Sequence, residues 1–136
     1  MRWFTALLLF AFCSVMLYGA DTPENVAIAA AERWLALVDQ GNYSASWTEA
    51  APMMKNAVSR TQWPEMLRAT RAPLGDVNSR KVRSAAYKTS LPGAPDGEYV
   101  VIQYTTSFEH KQSAVETVTS SKGGDGVWRV AGYYIR

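Results

Sequence analysis

Cysteine and histidine are almost missing from this chain: its 136 residues include one of each, Cys13 and His110. A disulfide framework, a Cys/His metal site and a Cys–His dyad therefore all lack their parts. A Ser/His/Asp triad would rest on His110 alone. Charge of one sign is lacking too. Fourteen Lys and Arg face 12 Asp and Glu, a formal net charge of +2, which leaves no nucleic-acid field and no acidic tail. Gly-x-Ser-x-Gly, His-Glu-x-x-His and Cys-x-x-Cys do not occur. What the chain does have is apolar substance. A hydrophobic content of 48%, with 12% aromatic residues, argues against disorder, and the length fits one domain.

The first twenty residues read as an address. Met1-Arg2 is a short positive start. Trp3 to Leu17 is apolar apart from Thr5, Cys13 and Ser14. Small Gly19 and Ala20 follow, and then polar Asp21-Thr22-Pro23-Glu24. This is the order of a secretory signal, so cleavage is expected after Ala20, with export to the periplasm and one domain over residues 21–136. Tyr18 is bulky for the third position before the cut, and the alternative is an uncleaved inner-membrane anchor through residues 3–20. The run is short for the roughly 20 apolar residues of a span, which favours cleavage and limits membrane contact to this segment. Phe10-Ala11-Phe12 lacks the small residues that lipoprotein processing at Cys13 requires. Cleavage removes the only thiol, and 13 basic residues then face 12 acidic ones.

The remainder has two textures. Residues 22–72 are rich in Ala, Met, Leu and Trp, and residues 77–135 in Val, Thr, Ser and Tyr. Helices followed by strands define an α+β domain. Thr22-Pro23-Glu24 opens a helix, with Val26, Ala30, Trp34, Leu37 and Val38 on one face and Gly41 as its stop. A shorter helix covers Tyr43 to Ala50. Another begins near Ser59 or Thr61, where Ser59-Arg60-Thr61-Gln62 fits a capping box, and Ala72-Pro73 ends it. Strands are expected within Val77–Ser90, at Glu98–Glu109, at Ser113–Ser121 and at Val127–Ile135. The Pro/Gly-rich stretch 91–97 and Gly123-Gly124-Asp125-Gly126 supply turns. Short connections make the sheet an antiparallel four-stranded meander.

A register that sets Phe108 against Ser113 and Lys122 against Val127 places Tyr104 opposite Thr117 and Glu116 opposite Tyr133. One face then gathers Val100, Ile102, Tyr104, Phe108, Val115, Trp128, Val130 and Tyr134 as the core side. The other gathers Tyr99, Val101, Val118, Ala131, Tyr133 and Ile135 with Glu116 and Arg129. That second face is apolar enough to meet a partner. Its candidate interface residues are Tyr99, Val101, Val118, Tyr133 and Ile135.

Several segments resemble the domain of unknown function family 4019: Arg71-Ala72-Pro73-Leu74-Gly75 with Ser79-Arg80, Pro92 to Tyr99, Glu116-Thr117-Val118-Thr119, and the ending Gly126 to Ile135. The resemblance implies a small exported bacterial protein without an assigned activity. It also implies a nuclear transport factor 2-like or cystatin-like layout, in which N-terminal helices pack into a curved sheet. That broad layout serves isomerases, dehydratases and non-catalytic modules alike, and fold does not choose among them.

The chemistry-bearing residues divide between two functions. The first is a non-catalytic binding or self-association module in the periplasm, acting as a homodimer through the outer sheet face or against another envelope protein. The alternative is a small-molecule binder or isomerase-like enzyme with a cavity between helices and sheet. Tyr104, Trp128 and Tyr134 would line that cavity around a small apolar ligand, with Glu116 as the acid–base group. Glu116 reads more simply as an outward strand residue near Arg129, and His110 as a solvated turn residue. Trp34, Trp47, Trp63 and Trp128 read as core anchors. Arg80-Lys81-Arg83 is split by strand alternation, and its basic residues discourage edge pairing. The glycine-rich turn has no following helix with which to cradle phosphate. No catalytic residue, metal ligand or cofactor is assigned, and no nucleic-acid partner is expected.

Overall fold

The computed structural model describes residues 21–136, so the leader read at residues 1–20 lies outside it. Helix α1 (Pro23–Asp39) starts as its sequence dictates. The Thr22 side chain accepts a hydrogen bond from the Asn25 amide at 3.2 Å, and Pro23 occupies the first turn. Ala27, Ala30, Ala31, Trp34, Leu35 and Val38 form its buried stripe, whose small alanines bring the helix close to the sheet. Helices α2 (Tyr43–Thr48) and α3 (Pro52–Ala57) are too short to be stable alone. Tryptophan indole N–H groups fix them. Trp34 donates to the Ser46 carbonyl at 2.8 Å, Trp63 to the Ser46 hydroxyl at 2.9 Å and Trp47 to the Val58 carbonyl at 2.9 Å. Helix α4 (Gln62–Arg71) follows a reciprocal capping box, with Ser59 Oγ accepting from the Gln62 amide at 3.0 Å and Gln62 Oε1 from the Ser59 amide at 3.3 Å.

A 3-10 turn at Ala72–Leu74 and Gly75 lead into β1 (Val77–Lys88), then β2 (Tyr99–Phe108), β3 (Lys111–Lys122) and β4 (Trp128–Ile135). The strands form one open antiparallel sheet in the order β1-β2-β3-β4. The protein is thus α+β, helices first and a four-stranded meander after them.

The register differs from the sequence expectation at both later hairpins and at a bulge in β4. The β2–β3 hairpin closes with Phe108 opposite Lys111 around a two-residue turn, and a register shift between Phe108 and Thr106 then sets Tyr104 opposite Glu116 rather than Thr117. Glu116 and Val118 consequently point under the helices, and both are fully buried. The β3–β4 hairpin sets Lys122 opposite Trp128 rather than Val127, and β4 then carries a bulge: Ser120 pairs with Val130, but Thr119 pairs with Gly132, which leaves Glu116 opposite Ile135 rather than Tyr133. The extra residue, Ala131, reverses the alternation after Val130. Trp128, Val130 and Tyr133 therefore pack toward the helices, and Tyr134 turns outward, 56% exposed. The core side thus holds Val118 and Tyr133 in place of Val115 and Tyr134.

Gly75 and Gly41 both have positive φ (+74° and +78°), but a Cβ on Gly75 would lie 2.7 Å from Glu109 Oε2 and 2.8 Å from Glu109 Cβ, whereas one on Gly41 meets open space. Gly41→Ala is expected to destabilise by about 1 kcal/mol through backbone strain alone, and Gly75→Ala by roughly 1–3 kcal/mol more through overpacking. Denaturant unfolding of the two variants checks the difference.

Candidate functional site

The most developed polar arrangement lies between the helices and the sheet, around Glu116. Its Oε1 accepts from Arg80 Nε at 2.7 Å and from the Thr106 hydroxyl at 2.5 Å. Its Oε2 accepts from Arg80 Nη2 at 3.2 Å and from the Tyr133 hydroxyl. Two donors on each oxygen fill a carboxylate's acceptor sites. Arg80 reaches on from β1 to the end of α1, donating to Asp39 at 2.7 and 3.0 Å. Arg71, from the last turn of α4, donates to Asp39 at 2.9 Å and lies 4.9 Å from the centre of the Phe108 ring, a cation–π contact. Two arginines and two carboxylates thus meet in a neutral chain across four elements.

Burial and charge act in opposite directions here. Burial would raise the Asp39 carboxyl, but Arg80 and then Arg71 outweigh it and hold the group below its ordinary range. Burial likewise works against the Arg80 cation, but the hydrogen bonds to Asp39 and Glu116 raise it above the ordinary arginine value. The Tyr133 phenol is raised by burial first and by Glu116 next. Burial also raises Tyr104, whose hydroxyl finds no hydrogen-bond partner in the protein.

The structure brings Tyr104 and Glu116 together on the inner face but places Trp128 and Tyr134 elsewhere. Trp128, with Trp34, Arg33 and Glu49, lines a cleft of about 420 Å³ between α1 and β4. Tyr134 lines a separate groove of about 280 Å³ with Trp63, Met66 and Leu67 of α4. Of the residues expected on the outer face, Val118 is fully buried on the inner side and Tyr133 packs against Trp34. Ile135 shares the inner row with Glu116. Val101 lies on the outer side. Tyr99 is covered there by the β1–β2 loop, donating to the Pro95 carbonyl at 2.6 Å. His110 is exposed in the β2–β3 turn. Among the described residues, no three His, Cys, Asp or Glu side chains gather in a metal-holding arrangement.

Asp39 belongs to no motif in the sequence, and Arg71 stands in the family-resembling segment Arg71 to Gly75 without a role being legible there. One signal for Asp39 was available: an acid in the last turn of α1 opposes the helix dipole and so needs a cation from elsewhere.

These features define an α+β protein organised around an internal ion-pair chain. The family model described as "Protein of unknown function (DUF4019)" matches residues 30–133, and the chain belongs to that family. No curated protein matches it.

Two contrasts test the network. Tyr133→Phe removes a hydrogen bond to a buried carboxylate and is expected to cost about 1.5–3 kcal/mol, whereas Tyr104→Phe removes an unpartnered hydroxyl and is expected to be neutral or stabilising. Chemical denaturation of both variants reads this difference. Because the folded-state value of Asp39 is depressed, its contribution is present above the unfolded carboxyl pKa of about 3.9 and is lost as pH falls through the lower folded value. Asp39→Asn should therefore lower stability at neutral pH and flatten its fall below about pH 4, measured as denaturation midpoint against pH.

Proposed function

We propose that this protein is an exported, non-catalytic binding module whose ligand site is the cleft between α1 and β4. The observation that carries the reading is the make-up of that cleft. Apolar Ala30, Leu37, Val127 and Val130 and the edges of Trp34 and Trp128 form its floor, Arg129 lines it with its charge taken by Asp125 at 2.8 Å, and Arg33 and Glu49 stand exposed beside it. Among the described residues, neither has an ion-pair partner. Its volume of about 420 Å³ falls in the range of small-molecule sites. Trp34 is held by Ser46, so this wall is fixed before a ligand arrives. A cation and an anion beside an apolar floor suit an organic zwitterion with an apolar body, which is the chemistry of a short peptide.

The sealed state of Glu116 supports binding over catalysis. A general base must reach the proton it removes, and both Glu116 oxygens are already taken. The apolar run at residues 3–17 supports export.

The exported protein is expected to begin at Asp21 by intact mass. Apolar dipeptides at millimolar concentration should raise its denaturation midpoint, by the equivalent of about 2.7 kcal/mol when present at a hundred times Kd. Arg33→Glu should abolish that rise. Absence of any rise with the whole dipeptide set overturns the cleft reading, and retention of residues 1–20 overturns release into the periplasm.

A further inference from the structure

The side of the sheet turned away from the helices has its own chemistry, separate from the cleft. The four strands contain one acidic residue, Glu116, and it is buried on the opposite side. The centre of the outer rows is uncharged, with Gln103 and Thr105 on β2 and Thr119 and Ser121 on β3 interleaved with half-buried Val101 and Val115. Cations stand at both margins. Lys81 lies in one row with Thr105, Val115 and Arg136, the last through paired backbone hydrogen bonds between Val115 and Arg136 at 2.9 and 3.0 Å. Three strand spacings put these two cations roughly 14 Å apart across the sheet. Arg83 is the extra residue of the bulge between Val82 and Ser84, and it stands exposed at the β1 margin. Among the described residues, Lys81, Arg83 and Arg136 have no acidic partner, whereas Arg129 is neutralised by Asp125 at 2.8 Å.

We propose that this outer face binds an acidic polysaccharide, with Lys81, Arg83 and Arg136 holding its anionic groups on either side of a hydroxyl and amide band that meets its sugar hydroxyls. Charge complementarity selects the occupant. A second copy stacked on this face would oppose cation to cation. A nucleic acid would need aromatic platforms for its bases, and Tyr134 is the one strongly exposed aromatic on the outer rows. A membrane surface would need protruding apolar side chains to insert, and Val101 and Val115 at the centre of the face are half-buried among Gln103 and the threonines. A sulfated or carboxylated glycan supplies both hydroxyls and spaced negative charge.

The test measures retention of the exported protein on dextran sulfate, with neutral dextran, phosphatidylglycerol vesicles and duplex DNA in parallel. Dextran sulfate binding is expected, weakening roughly tenfold or more between about 50 and 200 mM salt as counterions are displaced; neutral dextran should not bind. The triple variant Lys81→Ser, Arg83→Ser, Arg136→Ser should lose at least tenfold in affinity. The charge-matched variant Lys55→Ser, Arg60→Ser, Arg68→Ser, altered on the helical side, should keep it. Should the triple variant fail to fold by circular dichroism, Lys81→Glu alone reads the same loss. Equal loss in both triple variants reduces the effect to net charge and overturns the proposal. So does absence of binding to dextran sulfate, or tighter binding to the vesicles or the DNA.

Discussion

A single buried negative charge governs this structure. Glu116 sits on the inner face of β3 with no exposure to water, a position that costs several kcal/mol unless the charge is paired and hydrogen-bonded. The compensation comes from outside its own strand. Arg80 reaches across from β1, Thr106 donates from β2 and Tyr133 from β4. All four strands are therefore needed to settle one carboxylate. Because Arg80 also grips Asp39, and Asp39 grips Arg71, the demand passes on to α1 and α4. Apolar burial would tolerate several arrangements of these helices on the sheet. The ion-pair chain favours one of them, since any slip leaves a buried charge without its partner.

The element pattern was legible in the sequence and the register was not, for a physical reason. Thr22, Pro23 and the Ser59–Gln62 box act locally, so their roles survive without tertiary context. The alternating run in β2 likewise reports its own buried face. In β3, Val115 and Val118 lie on opposite faces, and hydrophobicity alone weighs them about equally. The choice between them is made by Glu116, and a carboxylate counts against burial until Arg80 is known to be near, thirty-six residues away in sequence. The bulge at Ala131 is hidden in the same way. The exchange of Tyr133 for Tyr134 on the core side follows from packing against Trp34. The candidate site was thus half visible: Glu116, Tyr104 and Trp128 were singled out, but which of them share a space depended on one residue of register.

Net charge also conceals a separation. A near-balanced total suggests weak electrostatics, yet the sheet and the helices divide the signs unequally. Eleven of the 12 acidic residues lie on helices, turns and loops, and the remaining one is Glu116. The cations Lys81, Arg83 and Lys88 lie on β1, with Arg136 just beyond β4. Screening erases interactions beyond about 8 Å at physiological ionic strength, so a partner lying on the sheet responds to the local field rather than to the sum.

The interior network and the outer face are joined through β1. Side chains alternate along a strand, so fixing Arg80 inward on Glu116 commits Lys81 outward. The bulge after Val82 then adds Arg83 as a further exposed cation at the same margin. These features also make β1 a poor template for strand addition, because bulges and lysines blunt an edge. At the other margin, the Ala51 amide donates to the Val130 carbonyl at 2.8 Å and occupies part of the β4 edge. With one edge blunted and the other partly taken, backbone pairing with another chain is disfavoured. What the sheet presents to its surroundings is therefore its side chains, and on β1 the buried carboxylate, by holding Arg80 inward, decides which of them face out.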